Sequence, residues 1–266
     1  MSKTFVMKPV VLSIAGLDPS GGAGIVADIK TIATLGCFPA AALTSITFQN
    51  TTGVFGAEHQ SAATLRAQVE PIVRDLTVAA AKTGMLPTAE IVAEVARLFA
   101  EENLPAPVVD PVVVATSGDV LIDDEAFEIL KTKLFPLARV VTPNIPEAEK
   151  LAGISIKSEP DMRRAAEAIQ SIGARAVLVK GGHRSIGGQA LDILLDENGI
   201  FTEFQTDYVE IGDVHGSGCT LSAAIAAHLA KDLTLEQSVA LAKKYVTDAI
   251  RALQHAPRIG HGAKPL

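Results

Sequence analysis

Short runs of β-branched and apolar residues alternate with segments of helical periodicity, and this alternation constrains the fold of the chain more than any other feature. Residues 10–15 read as a buried strand, and 25–35 as a helix ended by Gly36. Further strands are expected at 40–44, 79–83, 108–113, 139–142 and 176–180. Helices are expected between them, at about 62–75, 88–102, 123–133, 145–152 and 160–171. The strands lack clean in/out alternation, as a parallel sheet covered by helices on both faces requires. Repeated strand–helix–strand units predict an α/β architecture.

Two places break the rhythm. Residues 45–60 read as a loop with a short strand, a candidate flap. Residues 189–205 hold Asp196-Glu197-Asn198-Gly199 between apolar runs, a hairpin signal that adds antiparallel strands after the parallel part. One helix is expected to begin near Gly218, and another behind the capping-box pattern Thr234-x-x-Gln237. No internal repeat or linker divides residues 1–266, so one domain is expected.

A net charge of −7 argues against a nucleic-acid or membrane-surface binder, since phosphate-rich partners need a basic face. Cys37 and Cys219 are the only cysteines and form no CxxC pair, which fits a reducing compartment and excludes a disulfide scaffold. The residues from Met1 to Lys8 lack a secretory pattern, and no apolar run approaches the roughly 20 residues of a membrane span. A cytoplasmic protein is expected.

Three groups of residues could carry chemistry. The first strand runs into Gly16-Leu-Asp18-Pro-Ser-Gly21-Gly22-Ala-Gly24. A glycine-rich turn there lets backbone approach a ligand at a helix N-terminus. A dinucleotide fingerprint needs an acid at the end of the second strand, and none stands there. A Walker loop needs a Lys-Ser/Thr pair, also missing. A substrate-binding loop is preferred to a bare tight turn, because four glycines and Asp18 exceed what a turn needs.

The second group is Gly212-Asp213-Val214-His215-Gly216-Ser217-Gly218-Cys219-Thr220 before a small-residue helix. Backbone amides of Gly216, Ser217 and Gly218 are expected to form an anion hole for a transferring phosphoryl group. Cys219, in the first helical turn, would have its thiol pKa lowered by the helix dipole. His215 and Cys219 have no third ligand nearby for zinc, and a Gly-x-Ser-x-Gly elbow is missing.

The third group comprises polar residues at successive strand ends: Asp110-Pro111, Thr142-Pro143-Asn144-x-x-Glu147 and Lys180-Gly181-Gly182. Ligands of open α/β sheets sit beyond the carboxyl ends of strands, so these groups should share one crevice. Asp110 and Glu147 are hard oxygen donors suited to Mg2+, and Lys180 is a point charge suited to phosphate. Asp-Pro and Asn-x-x-Glu are also ordinary helix-start sequences.

Taken together with Gln49-Asn50-Thr51, Lys82-Thr-Gly-Met85, Ser117-Gly-Asp119, Lys180-Gly-Gly-His183, His215-Gly-x-Gly-Cys-Thr-Leu-Ser222 and Gly260-His261-Gly262, these motifs resemble the hydroxymethylpyrimidine/phosphomethylpyrimidine kinase family of the ribokinase superfamily. The resemblance spans almost the whole chain. It implies a three-layer α/β/α sandwich with a mostly parallel central sheet and a few antiparallel strands. It implies ATP as phosphoryl donor with Mg2+, a pyrimidine alcohol and its monophosphate as acceptors, and a homodimer.

By the same resemblance, Gln49 contacts the pyrimidine edge, with Gly16, Asp18, Ala23, Met85 and Val112 around it. Asn144, Lys180, Gly216 and Gly218 hold the nucleotide. Cys219 falls where relatives of the superfamily carry an aspartate base, either as base or as orienter of the hydroxyl. An amide can pair with an aminopyrimidine through two hydrogen bonds, which suits Gln49 to that ring. The chain departs from the family pattern at Leu17, Thr116 and Val214. A pyridoxine or pyridoxal kinase is the nearest rival, followed by a nicotinamide oxidoreductase and a non-catalytic vitamin sensor.

Overall fold

A computed structural model describes residues 8–113, 121–186, 189–212 and 214–266. The sequence readings at Met1–Met7, Thr116, Ser117–Asp119 and Asp213 lie outside the described residues, as does the side chain of His183. The chain opens with β1 (Val10–Leu17), α1 (Gly24–Thr34), β2 (Phe38–Asn50), β3 (Gly53–His59), α2 (Ala62–Asp75), β4 (Val78–Thr83) and α3 (Ala89–Glu101). It continues through β5 (Val108–Val109), α4 (Asp124–Ile129), β6 (Val140–Val141), α5 (Ile145–Ala152), α6 (Glu159–Ser171) and β7 (Val177–Ile186). The rest comprises β8 (Gln189–Leu195), β9 (Phe201–Asp207), β10 (Val214–His215), α7 (Ser217–Leu229), α8 (Leu235–Leu253) and β11 (Lys264–Pro265).

Strands β1 to β9 form one sheet in the order β3-β2-β1-β4-β5-β6-β7-β8-β9, and β10 and β11 form a small second one. The pairs from β2 through β7 are parallel, whereas β3 and the β8–β9 ribbon are attached antiparallel. The period-2 strand geometry divides the core. Leu12, Ile14, Val109 and Val141 face α2 to α6, while Val11, Val108, Val140 and Leu178 face α1, α7 and α8. Both faces are apolar because both are covered, which is why the strands read as continuous hydrophobic runs. This is the expected three-layer α/β/α sandwich.

Several expectations shift. Residues 45–60 are a continuation of β2 into an antiparallel hairpin with β3, not a loop. Strand β5 stops at Val109, short of the expected 108–113, because Pro111 has no amide with which to extend the ladder. The helix expected over 123–133 ends at Ile129 and winds through a π turn, Leu130–Leu134, and a 3-10 turn, Phe135–Leu137. The wider turn lets Leu130, Leu134 and Phe135 all enter the core. No helix among the described residues is long and apolar enough to cross a membrane.

Candidate active site

Most helices of this chain begin with a side chain that satisfies their first amides. Ser61 caps α2, Thr88 caps α3, Asp123 caps α4, and Asn144 and Thr234 build capping boxes on α5 and α8. Helices α1 and α7 have no side-chain cap and no acid in the first turn. Their N-termini, with positive dipole ends, line one cavity of about 780 Å³ at the carboxyl ends of the parallel strands. Gly216, Ser217 and Gly218, where an anion hole is expected, form the N-terminus of α7 that no side chain caps.

Local backbone explains the glycines. Gly216 is the N-cap of α7 at φ +87°, and a Cβ there would lie 1.8 Å from the Gly22 carbonyl. Gly24, at φ +55°, packs against the Gly16 carbonyl in the same way. The two glycine-rich loops thus touch through bare backbone, which only glycine permits. Asp18 binds them together. Its carboxylate accepts from Ser20 N and Oγ, Gly22 N (3.1 Å) and Ala23 N (2.9 Å), and pairs with His215 Nε2 at 2.9 Å. Burial alone would raise the Asp18 carboxyl, but His215, Ser20 and Gln49 outweigh it and hold it well below the usual range. Asp18 lines the cavity, as expected, but its oxygens are spent on organising the loop.

At the ends of β5 to β7, Lys180 Nζ lies 2.9 Å from Asp110 Oδ1 and close to Gly218, where a Cβ would be 3.3 Å from the ammonium. Thr142 and Ser222 also donate to Asp110. Lys180 and its pocket therefore join the strand ends of β5, β6 and β7 to the first turn of α7. Glu147 completes the Asn144 capping box with Oε2, while its Oε1 accepts from Val113 N at 3.2 Å. Both amide contacts are structural, as the helix-start reading anticipates. Burial, joined by the charge of Asp110, pushes the Glu147 carboxyl up despite Lys180. Among the described residues, no group of three or more His, Cys, Asp or Glu side chains is arranged to hold a metal ion.

Cys219 is half-buried in the first turn of α7 and lines the cavity. The expected dipole-lowered thiol is overturned. Burial pushes it up to about 11, with the negative charges of Asp28 and Asp110 adding to that, and Lys82 only partly opposing. Desolvation outweighs a helix dipole that acts only over the first turn.

At the opposite end of the cavity, the register shift between Phe48 and Gln49 re-aims Gln49 at the lining beside Gly16, Ala23, Met85 and Val112. Val112 adopts φ +30°, a strained conformation for a β-branched residue, directly after Asp110-Pro111. Asn144 lines the same cavity. All fourteen expected site residues are thus brought together.

The sequence reading missed two features. Lys82 and Asp28 form a wholly buried pair, with 3.0 Å from Nζ to each carboxylate oxygen and a bond from Ser13 Oγ to Asp28 at 2.6 Å, within electrostatic reach of Cys219. The far wall of the cavity is apolar, built by Val209, Ile211, Val246 and Ile250 from the segment after β9 and from α8. Both depend on contacts between distant segments; a buried Asp in a helix and a Lys in an apolar strand were the only clues.

A parallel α/β sandwich with a lysine and uncapped helix amides facing a deep crevice is the framework of a small-molecule kinase. The comparisons narrow this class: residues 18–266 match the model of the phosphomethylpyrimidine kinase family, and the chain belongs to that family. It is 46% identical over 264 residues to a hydroxymethylpyrimidine/phosphomethylpyrimidine kinase of Rhizobium meliloti, covering 98% of this chain and 97% of that protein. It is 45% identical to the thiamine biosynthesis bifunctional protein ThiED of Geobacter sulfurreducens, spanning 95% of this chain but only 51% of that protein. Among solved structures, a phosphomethylpyrimidine kinase of Clostridium difficile aligns at TM-score 0.80 and 42% identity, over 91% of this chain and all of that one. A pyridoxal kinase of Staphylococcus aureus in complex with AMP-PCP aligns at TM-score 0.88 and 32% identity, over 98% and 93%.

Proposed function

We propose that this protein uses ATP to phosphorylate the hydroxymethyl group of 4-amino-5-hydroxymethyl-2-methylpyrimidine, and then phosphorylates the monophosphate to the diphosphate, in thiamine biosynthesis. The observation that carries this reading is the uncapped N-terminus of α7, with Lys180 beside Gly218, in the same cavity as Gln49.

Phosphoryl transfer asks mainly for positioning and charge neutralisation. The amides of Ser217, Gly218 and Cys219 supply donors for the equatorial oxygens of the migrating group, and Lys180 adds a cation. The acceptor oxygen forms a bond to the γ-phosphorus as the bond to the β-phosphate oxygen breaks. Cys219, neutral at physiological pH, orients the acceptor hydroxyl rather than removing its proton early. Gln49 pairs with the amine and ring nitrogen of the pyrimidine, and Asp18 keeps the loop beneath it in shape. Asn144 and the apolar wall at Val209, Val246 and Ile250 suit the nucleotide.

Asp110 and Glu147 are the residues that would hold Mg2+. Their mutual repulsion, which helps push Glu147 up, is what a divalent cation between them would relieve. When bound, that ion neutralises charge on the β- and γ-phosphates.

A second copy of the chain is a further expectation, supported by the exposed Phe48 (52%) and Phe55 (69%) on the edge hairpin. Residues 1–266 act as one kinase domain in this reading, carried by the single nine-stranded sheet. Two unpaired cysteines fit action in the cytoplasm.

Acceptor-dependent release of ADP tests the proposal, with the pyrimidine alcohol, its monophosphate and pyridoxal assayed in parallel with Mg2+. The proposal requires both pyrimidines to outrun pyridoxal in kcat/KM. Preference for pyridoxal, the activity in the name of the Staphylococcus aureus relative, would replace it with the rival reading.

A further inference from the structure

The Gly260-His261-Gly262 motif has no part in the chemistry above. It packs on the tip of the β2–β3 hairpin. Ala263 N donates to the Thr51 carbonyl at 2.9 Å, and Gly262 N to Thr51 Oγ1 at 3.2 Å. Both glycines are needed for this approach: a Cβ at Gly260 would lie 2.4 Å from Thr51 Oγ1, and one at Gly262 would lie 1.7 Å from the Thr51 carbonyl oxygen.

Immediately beyond, β11 pairs in parallel with β10, placing Val214 opposite Lys264 and His215 opposite Pro265. Leu266 N donates to the His215 carbonyl at 3.1 Å. Pro265 also presses on the glycine-rich loop, where a Cβ at Gly22 would meet it at 3.0 Å. One short segment therefore touches the turn that follows Gln49 and the residue that precedes Gly216.

The hairpin tip needs such support. Pairing of β2 with β1 ends at Ile46, so residues 49–54 project beyond the main sheet with only each other as ladder partners. A contact circuit closes around the acceptor side: Gln49 bonds Asp18, Asp18 pairs with His215, His215 holds β11, and the glycines of 260–262 hold Thr51.

We propose that residues 260–266 are a tie that sets the distance between the acceptor-recognition turn at Gln49 and the phosphoryl-binding amides of α7, with Gly262 and Thr51 as its positioning residues. The identity of the acceptor in this proposal rests on the function proposed above; the tie itself does not. Misplacement of a reacting pair by about 1 Å can cost on the order of a hundredfold in rate, so a tie of this kind acts on the encounter of acceptor and phosphoryl group.

The test uses the full chain carrying Gly262→Ala, Thr51→Val or Thr51→Ser. Gly262→Ala should lower kcat/KM for the pyrimidine alcohol roughly tenfold to a hundredfold, with KM for ATP and the melting temperature close to wild type. Thr51→Val, which removes only the acceptor for Gly262 N, should shift kcat/KM the same way by less, and Thr51→Ser should restore it. Hydrogen exchange in Gly262→Ala should quicken in both 48–54 and 214–218 while α3 stays protected. A wild-type kcat/KM for the pyrimidine in both Gly262→Ala and Thr51→Val overturns the tie, as does a fall explained wholly by loss of active fraction. If the wild-type protein turns over neither pyrimidine, the functional proposal fails, and hydrogen exchange alone decides the tie: quickening at both segments supports it, and quickening at 48–54 only overturns it.

Discussion

His215 Nε2 lies 2.9 Å from Asp18 Oδ2 across 197 positions of sequence, joining the loop after β1 to the loop before α7. Through this pair the two uncapped helices are held at fixed spacing. The pair is nearly buried, with 16% of the His215 side chain and 3% of that of Asp18 exposed, so solvent screens it little.

Asp18→Asn should therefore lower stability by about 1.5–3 kcal/mol, the usual worth of a hydrogen bond to a charged group. The pH dependence has a definite sign. The folded-state pKa of Asp18 lies below the unfolded value, so its contribution is present above the unfolded value and fades as pH falls through the folded one. Denaturant melts of wild type and Asp18→Asn should converge in acid and separate above about pH 4.

Gln49→Leu should weaken acceptor binding by about 1–3 kcal/mol by leaving the polar edge of the ring unpaired. Steady-state kinetics should show this as a raised pyrimidine KM with the ATP KM unchanged. An unaltered pyrimidine KM removes Gln49 from the acceptor site.

Alkylation by iodoacetamide probes Cys219, since the thiolate is the nucleophile. With the thiol pushed up to about 11, the modification rate should climb about tenfold per pH unit from pH 7 to 10 without levelling. A plateau near pH 8 would restore the dipole-activated thiolate and a general-base role.

Lys82 and Asp28 are fully buried, so Lys82→Met strands an unpaired carboxylate and should cost about 3–5 kcal/mol. The double variant Asp28→Leu/Lys82→Met should recover much of that loss in chemical denaturation. Equal destabilisation in both would mean that packing, not charge, governs the pair.

Local rules made much of this molecule legible. Asn144-x-x-Glu147 fixes α5 at Ile145–Ala152 because the cap is built from four consecutive residues, and Gly199 closes the β8–β9 hairpin by taking φ +78°. Gly216 marked the start of α7 for the same reason: its φ of +87° is a requirement of the backbone. The tip of β2 was unreadable as strand because Thr47, Gln49 and Asn50 make it polar, and its hydrogen bonds are supplied by β3 alone. The Cys219 environment was misjudged because the helix dipole is visible in sequence and the surrounding burial is not. The Asp18–His215 pair was unreadable for a similar reason, since His215 reaches Asp18 only through the fold.

Phosphorus-31 NMR of the purified protein with ATP, Mg2+ and the pyrimidine alcohol tests the central claim most directly. The account predicts a pyrimidine monophosphate resonance that rises first and then gives way to the paired resonances of the diphosphate, both lost in Lys180→Met. Spectra showing only ATP and its hydrolysis products, or phosphate transferred to pyridoxal but never to the pyrimidine, would contradict it.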